Sequence, residues 1–391
     1  MAAGRLPAES GAPPRGRWRS CPIPNDLALP KTEMEEVVYD SLALNIRANP
    51  CVNRCRHCWA EGSREHATMP TEAVEAALRA LAGARDLFAH VDFFLLDEPT
   101  ARPDFVEIYE FAAELELLGP DSFIATNAVG LARAEPDLWY RLRATGIGYL
   151  QFTFYGVGEA HDKFAGRRGA FDDLVAAVGQ AEAVGIPWCA SAILQARDAG
   201  DVLGTLEYIE GLGSPIKTGW MLYAAQGRGA RGRRPIFKDI LEKPWLAAPG
   251  FFCAERRLRE EVLADRELSR RRAAEAFCPT LVLEVDAGGE VFCGGACDSG
   301  GLAGVLPEFK SEFSLGRLGE KSLAAMIGEY AADPPAIVKM AGAVTWGELA
   351  EKYASRVNDE LFAPHDLIVS RWVRDYVRKN FPPPEKASRS P

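Results

Sequence analysis

The chain has 391 residues, 48% of them apolar, and a formal net charge of −10. That length can bury a large core and accommodates about two to three domains, or one barrel with an extension. The acidic balance excludes a general nucleic-acid binder working through bulk positive charge, and no apolar run approaches the ~20 residues needed to span a bilayer.

In chain order, residues 1–35 combine small residues, Pro and Arg without an apolar stretch, and read as a disordered leader that is not a secretory signal. Nine cysteines without an export signal fit a reducing cytoplasm. VVYDSLALNI, with its core at 38–46, reads as a strand, and MPTEAVEAALRALAGA has the apolar spacing of a helix with Pro near its start. VDFFLL (91–96) is a strand, and DFVEIYEFAAELELLG is a helix closed by Gly119. SFIATN (122–127) is a strand, EPDLWYRLRATG a helix and IGYLQFTF (147–154) a strand. GAFDDLVAAVGQAEAVG is a helix, PWCASAIL (187–194) a strand, GDVLGTLEYIEGLG a helix, and IKTGWMLYAA (216–225) a sixth strand. This alternation predicts an α/β fold with a parallel sheet and right-handed crossovers. Gln151 and Thr153 share one face of their strand and Phe152 and Phe154 the other, so aromatics packed under helices place the polar pair inside.

Cys51, Cys55 and Cys58 stand in CVNRCRHC, spaced C-x3-C-x2-C directly after the first strand. Soft thiolates at this density suit an iron–sulfur cluster. They also suit zinc, with His57 or His66 completing the site, or a structural disulfide. The placement in a loop between a strand and a helix, together with the spacing, resembles the radical S-adenosylmethionine (radical SAM) superfamily. The resemblance implies a [4Fe-4S] cluster held by three cysteines, with the open iron chelated by S-adenosylmethionine. It implies reductive cleavage of that cosubstrate to a 5′-deoxyadenosyl radical, which abstracts hydrogen from a substrate C–H bond. It also implies a partial (β/α)6 TIM-type barrel at residues 36–230.

In such a barrel the chemistry lies at the C-terminal ends of the strands. Leu96-Asp97-Glu98-Pro99 resembles the family's glycine-glycine-glutamate-proline segment, which holds the cosubstrate's amino group; Asp97 stands where the family has a glycine. The resemblance extends cosubstrate contacts to Pro99, to Thr126 and Asn127, to Gln151 and Thr153, and to Arg228 in the turn Gly227-Arg228-Gly229. His161-Asp162 with Gly166, Gly169 and Phe171 reads as a loop-shaping motif, with Asp162 capping a turn. The arginine groups at 228–234 and 270–272 read as a solvated loop and an ion-paired helix. Cys21 lies in the leader without a ligand role, and Cys189 reads as a core residue, sharing parity with Ser191.

A second cysteine set follows. LVLEVDAGGEVF reads as a β-hairpin that brings Cys278 and Cys293 together. The pattern C-x9-G-x4-C resembles the opening of SPASM and twitch auxiliary-cluster domains, which implies an auxiliary [4Fe-4S] cluster held by Cys253, Cys278, Cys293 and Cys297, or by three of them with one iron left open for substrate. No cysteine follows Cys297, so a single-cluster, twitch-like α+β extension at 231–320 is the nearer match, with a hairpin that binds no cluster as the alternative. FSLGRL (313–318) resembles the segment after that hairpin. Residues 321–391 read as a helical extension with a disordered end.

The sequence thus predicts a cytoplasmic radical SAM oxidoreductase or tailoring enzyme, served by a one-electron reductant such as flavodoxin or ferredoxin. A small polar natural-product intermediate is the favoured substrate, because the ~35 residues before the first strand are too few and too Pro/Gly-rich for a peptide-recognition domain. A ribosomal peptide is the competing substrate, and a zinc-stabilised binding protein the competing class. Neither a nucleic-acid nor a membrane partner is expected.

Overall fold

A computed structural model describes residues 41–47, 51–56, 68–193, 199–213, 219–221, 280–293, 313–333, 355–357, 360–362, 375 and 379. The strands are β1 (Ser41–Ile46), β2 (His90–Leu95), β3 (Phe123–Thr126), β4 (Tyr149–Phe154), β5 (Trp188–Ile193), β6 (Gly219–Met221), β7 (Thr280–Val285), β8 (Glu290–Cys293), β9 (Ser314–Arg317), β10 (Ser355–Val357) and β11 (Glu360–Phe362). The helices are α1 (Thr71–Ala82), α2 (Phe105–Glu114), α3 (Pro136–Ala144), α4 (Glu159–Ala165), α5 (Ala170–Val184), α6 (Ala199–Gly211) and α7 (Leu323–Ala332).

Each of the six predicted barrel strands is present, and every pairing among them is parallel. They fall into two hydrogen-bonded groups, β3-β4-β5-β6 and β2-β1-β7-β8-β9. Side chains bridge the groups: the rings of Phe94 and Phe123 lie 5.2 Å apart. The C-terminal hairpin continues the barrel sheet, because β7 pairs in parallel with β1 from Ser41↔Thr280 to Ile46↔Val285. Sequence gave no hint of that pairing, since a strand's partner some 240 residues away leaves no local signal.

One face of β1, β4 and β5 packs under the helices. Leu42, Leu44 and Ile46 of β1, Leu150, Phe152 and Phe154 of β4, and Trp188, Ala190 and Ala192 of β5 share one hydrophobic core with Val74, Leu78, Leu81, Leu174 and Val178 of the helices. Asn45, Gln151, Thr153, Cys189, Ser191 and Glu284 occupy the alternate positions, on the inner face. Cys189 is buried as expected, but on this inner face opposite Gln151 instead of within the helix-side core.

Three elements depart from the sequence reading. Helix α2 stops at Glu114, short of Gly119. Glu116 takes φ +56, with Leu117 N–H donating to Ala112 O (3.0 Å) and Glu116 N–H to Ala113 O (2.9 Å). That is a Schellman ending, concealed because a glutamate fills the left-handed position usually given to glycine. The predicted loop before α5 holds a helix, α4, ended by Gly166 at φ +66. The tail contains α7, capped by Ser322 Oγ accepting from Ala325 N–H, and in addition the antiparallel pair β10–β11 where only helices were expected.

Candidate metal centre and cofactor site

Ile46 ends β1, and its carbonyl accepts from Leu96 N–H (2.8 Å) while Arg47 N–H donates to Val285 O (3.1 Å). Arg47 Nε also pairs with Glu284 Oε1 at 2.5 Å, so β1 enters the cysteine loop clamped to β2 and to β7. The loop docks on the end of α4: Arg54 N–H donates to Ala165 O (2.8 Å) and Arg56 N–H to Phe164 O (3.1 Å). Gly166 allows this approach, because a Cβ there would lie 3.0 Å from both Cβ and O of Arg54. Arg167 adds a side-chain tie, Nε to Asn53 Oδ1 at 2.6 Å, and is itself held by Asp173 at 2.5 Å.

The loop presents Cys51 half-buried and Cys55 at 7% exposure. Asn127 Nδ2 donates to Cys51 Sγ at 3.3 Å, and the Tyr155 hydroxyl lies 3.6 Å from Cys55 Sγ. Asn127 follows β3 and Tyr155 follows β4, so both come from the C-terminal strand edge where sequence placed the chemistry. Tyr155 carried no motif and was not singled out; its position just past a strand's C-terminal end was the available signal.

Glu98, just beyond β2, is 1% exposed. Its Oε1 accepts from Thr100 Oγ1 (2.6 Å), Thr126 Oγ1 (2.6 Å) and Thr100 N–H (3.2 Å), and its Oε2 from Asn127 N–H (2.6 Å). The carboxylate therefore ties the end of β2 to the end of β3, across the junction between the two strand groups. Burial pushes its carboxyl above the usual range, against the opposing pull of the hydrogen bonds from Thr100, Thr126 and the Asn127 backbone. Asp97, at the position where the resembled motif has a glycine, takes φ +70, the left-handed backbone that a glycine favours. Pro99 is buried at the start of a short 3-10 turn.

His161 and Asp162 support this edge. Asp162 Oδ2 accepts from Gly169 N–H (2.6 Å) and Oδ1 from Phe171 N–H (2.9 Å), which caps α5 as the loop-shaping reading expected. His161 Nδ1 accepts from Tyr155 N–H (3.2 Å), and burial lowers its pKa to about 4, leaving a neutral ring at ordinary pH. The Tyr155 ring is held between His161 (5.0 Å) and Phe164 (4.9 Å).

Cys58, His57, His66, Arg228, Cys253, Cys278 and Cys297 lie outside the described residues. Among the described residues no three His, Cys, Asp or Glu side chains converge on one point. Cys293 is 1% exposed within the helix-side core, and burial pushes its thiol up to about 12. Gln151 and Thr153 are half-buried on the inner face.

The first cysteine loop fits a thiolate-bound cluster. Two cysteine sulfurs stand next to the Asn127 amide N–H and the Tyr155 hydroxyl, on a loop held by its own backbone bonds.

The comparisons agree with this geometry. A model of the Radical SAM superfamily matches residues 46–207. PqqA peptide cyclase of Methylorubrum populi is 30% identical over 167 residues, covering 42% of this chain and 41% of that protein. Fe-coproporphyrin III synthase of Methanosarcina barkeri is 29% identical over 138 residues, covering 35% of this chain and 32% of the relative. The chain thus spans well under half the length of these curated relatives. Among solved structures, Streptococcus suis SuiB bound to precursor peptide SuiA aligns with a TM-score of 0.52 at 16% identity, over 75% of this chain and 65% of that one. The anSMEcpe protein with bound AdoMet and a Cp18Cys peptide aligns with a TM-score of 0.51 at 13% identity, over 87% and 97%. At those identities the likeness establishes the fold, a TIM-type α/β architecture. Over residues 46–207 the chain is similar to the Radical SAM superfamily, whose members use a [4Fe-4S] cluster and S-adenosylmethionine.

Proposed function

We propose that the chain is a radical SAM enzyme that modifies a peptide. The observation that carries the radical chemistry is the cysteine loop at the strand edge, with Cys51 and Cys55 under the side chains of Asn127 and Tyr155. Cys51, Cys55 and Cys58 would hold the cluster. A cluster held there would supply the one-electron reduction that cleaves S-adenosylmethionine for hydrogen abstraction from the substrate, with the electron coming from a reductant such as flavodoxin or ferredoxin.

The chain's own residues do the positioning. Arg47 and Glu284 fix where the loop leaves β1, and Arg167 and Gly166 seat its middle on α4. Glu98 sets the spacing between the ends of β2 and β3, and its engagement with four donors makes it a brace first. Any contact it makes with the cosubstrate's amino group builds on that brace. Pro99, Thr126 and Asn127 line the same edge, and Gln151 and Thr153 face inward below it. Arg228 is assigned to the cosubstrate on its motif alone.

Support for a peptide comes from relatives named PqqA peptide cyclase and from the fold shared with SuiB in its precursor-peptide complex. This reverses the preference for a small metabolite that sequence suggested. A small-molecule substrate remains the second reading, favoured by the relative named Fe-coproporphyrin III synthase. The twitch-like extension with an auxiliary cluster rests on its motif; Cys293, enclosed in an apolar core, is the described member of that set.

Mass spectrometry tests the substrate class. The reconstituted enzyme is incubated with a panel of synthetic precursor-like peptides, S-adenosylmethionine and reductant. A peptide mass change dependent on both cosubstrate and reductant is expected. Unmodified peptides, with turnover only on a small metabolite, would transfer the assignment to the second reading.

A further inference from the structure

Two polar side chains from different strand ends meet the cysteine sulfurs: Asn127 Nδ2 donates to Cys51 Sγ, and the Tyr155 hydroxyl accepts from the protonated Cys55 thiol. The orientation of the Asn127 amide is fixed from within: its Oδ1 accepts from Val129 N–H (3.1 Å), so Nδ2 is the group turned to Cys51 Sγ. Its own N–H is tied to Glu98, which removes the backbone freedom to swing the side chain away. The Tyr155 ring is equally constrained by His161 and Phe164, which leaves its hydroxyl 3.6 Å from Cys55 Sγ. A metal-bound cysteine has no proton, so in that state the phenol must be the donor.

We propose that Asn127 and Tyr155 are positioning residues that donate hydrogen bonds to the Cys51 and Cys55 thiolates and thereby raise the reduction potential of the cluster those thiolates hold. The inference rests on the radical SAM reading above. The physical cause is charge. One-electron reduction adds negative charge that is shared by the sulfurs, so a fixed donor stabilises the reduced form more than the oxidised one. Both donors come from the ends of neighbouring strands that Glu98 and the β3–β4 pairing hold in register, so neither depends on a mobile surface side chain.

The test is an EPR-monitored redox titration of the full chain, reconstituted anaerobically, with iron and sulfide measured on the same samples. The signal that changes on addition of S-adenosylmethionine identifies the cluster in question. Tyr155→Phe keeps the ring and removes only the donor. Asn127→Asp keeps the acceptor for Val129 N–H and turns a carboxylate oxygen to Cys51. Both variants should retain the parent's iron and titrate at a lower midpoint. In the double variant the reduced-to-oxidised ratio at fixed poise should fall about tenfold, which is ~59 mV for one electron. A Tyr155→Phe midpoint equal to the parent's overturns the proposal, as does an iron-replete Asn127→Asp at or above the parent value. A parent that assembles no cluster at all defeats the radical SAM reading itself, which is a different result.

Discussion

Removing the Glu98 carboxylate should loosen the joint between the two strand groups. In Glu98→Ala, four donors lose their acceptor at a site with 1% exposure. The two threonine hydroxyls lie 3.2 Å apart and can turn to each other, but the backbone N–H groups of Thr100 and Asn127 cannot. Each orphaned N–H costs about 1–3 kcal/mol, roughly 2–6 kcal/mol for the pair. Part is offset because a buried charge disappears, and burial is the largest influence on this carboxyl. A net loss of about 2–4 kcal/mol follows. Glu98→Gln keeps the shape and leaves one N–H facing an amide –NH2, for about 1–3 kcal/mol. The pH dependence has a definite sign. The folded-state pKa is raised, so this group's contribution is fully present below its unfolded pKa and is lost as pH rises through the folded value. That component should vanish in Glu98→Gln. Urea denaturation of the three proteins across pH reads both effects. A loss below about 1 kcal/mol in Glu98→Ala, or a glutamine variant less stable than the alanine one, would refute the brace.

Other expectations concern the α4 region. His161 is held near pKa 4 against 6.5 in the unfolded chain, so stability should fall as pH drops through that window. The loss is at most about 3 kcal/mol, and His161→Gln should flatten the profile in urea melts. An unflattened profile would assign the acid sensitivity elsewhere. Asp162→Ala removes two bonds to the N-terminal end of α5 and should cost about 1–2 kcal/mol by the same assay. Gly166→Ala meets both an unfavourable φ and a 3.0 Å approach to Arg54, so it should displace the cysteine loop and lower the iron retained after reconstitution. Full iron in that variant would show that the loop does not need its seat on α4.

The barrel was legible because its strands alternate faces in the simplest way: Phe152 and Phe154 are fully buried while Gln151 and Thr153 turn inward. The cysteine spacing, and Asp162 as a cap, were equally local signals. What escaped was either non-local or disguised. The β1–β7 pairing joins segments far apart in sequence, and Glu116 fills a position that composition reserves for glycine. Glu98 was found by motif, but its role as a four-donor brace depends on Thr126 and Asn127 arriving from another strand. Tyr155 had no motif; only the folded arrangement puts its hydroxyl next to Cys55.

The central claim is that Cys51, Cys55 and Cys58 hold the cluster that cleaves S-adenosylmethionine. Anaerobically reconstituted parent and the triple-alanine variant at these positions should be reduced in the presence of the cosubstrate, and 5′-deoxyadenosine quantified. The parent should form it and the variant should not, with iron falling by about four per chain. Undiminished 5′-deoxyadenosine from the variant, or a parent that binds zinc without sulfide and forms none, would contradict the account.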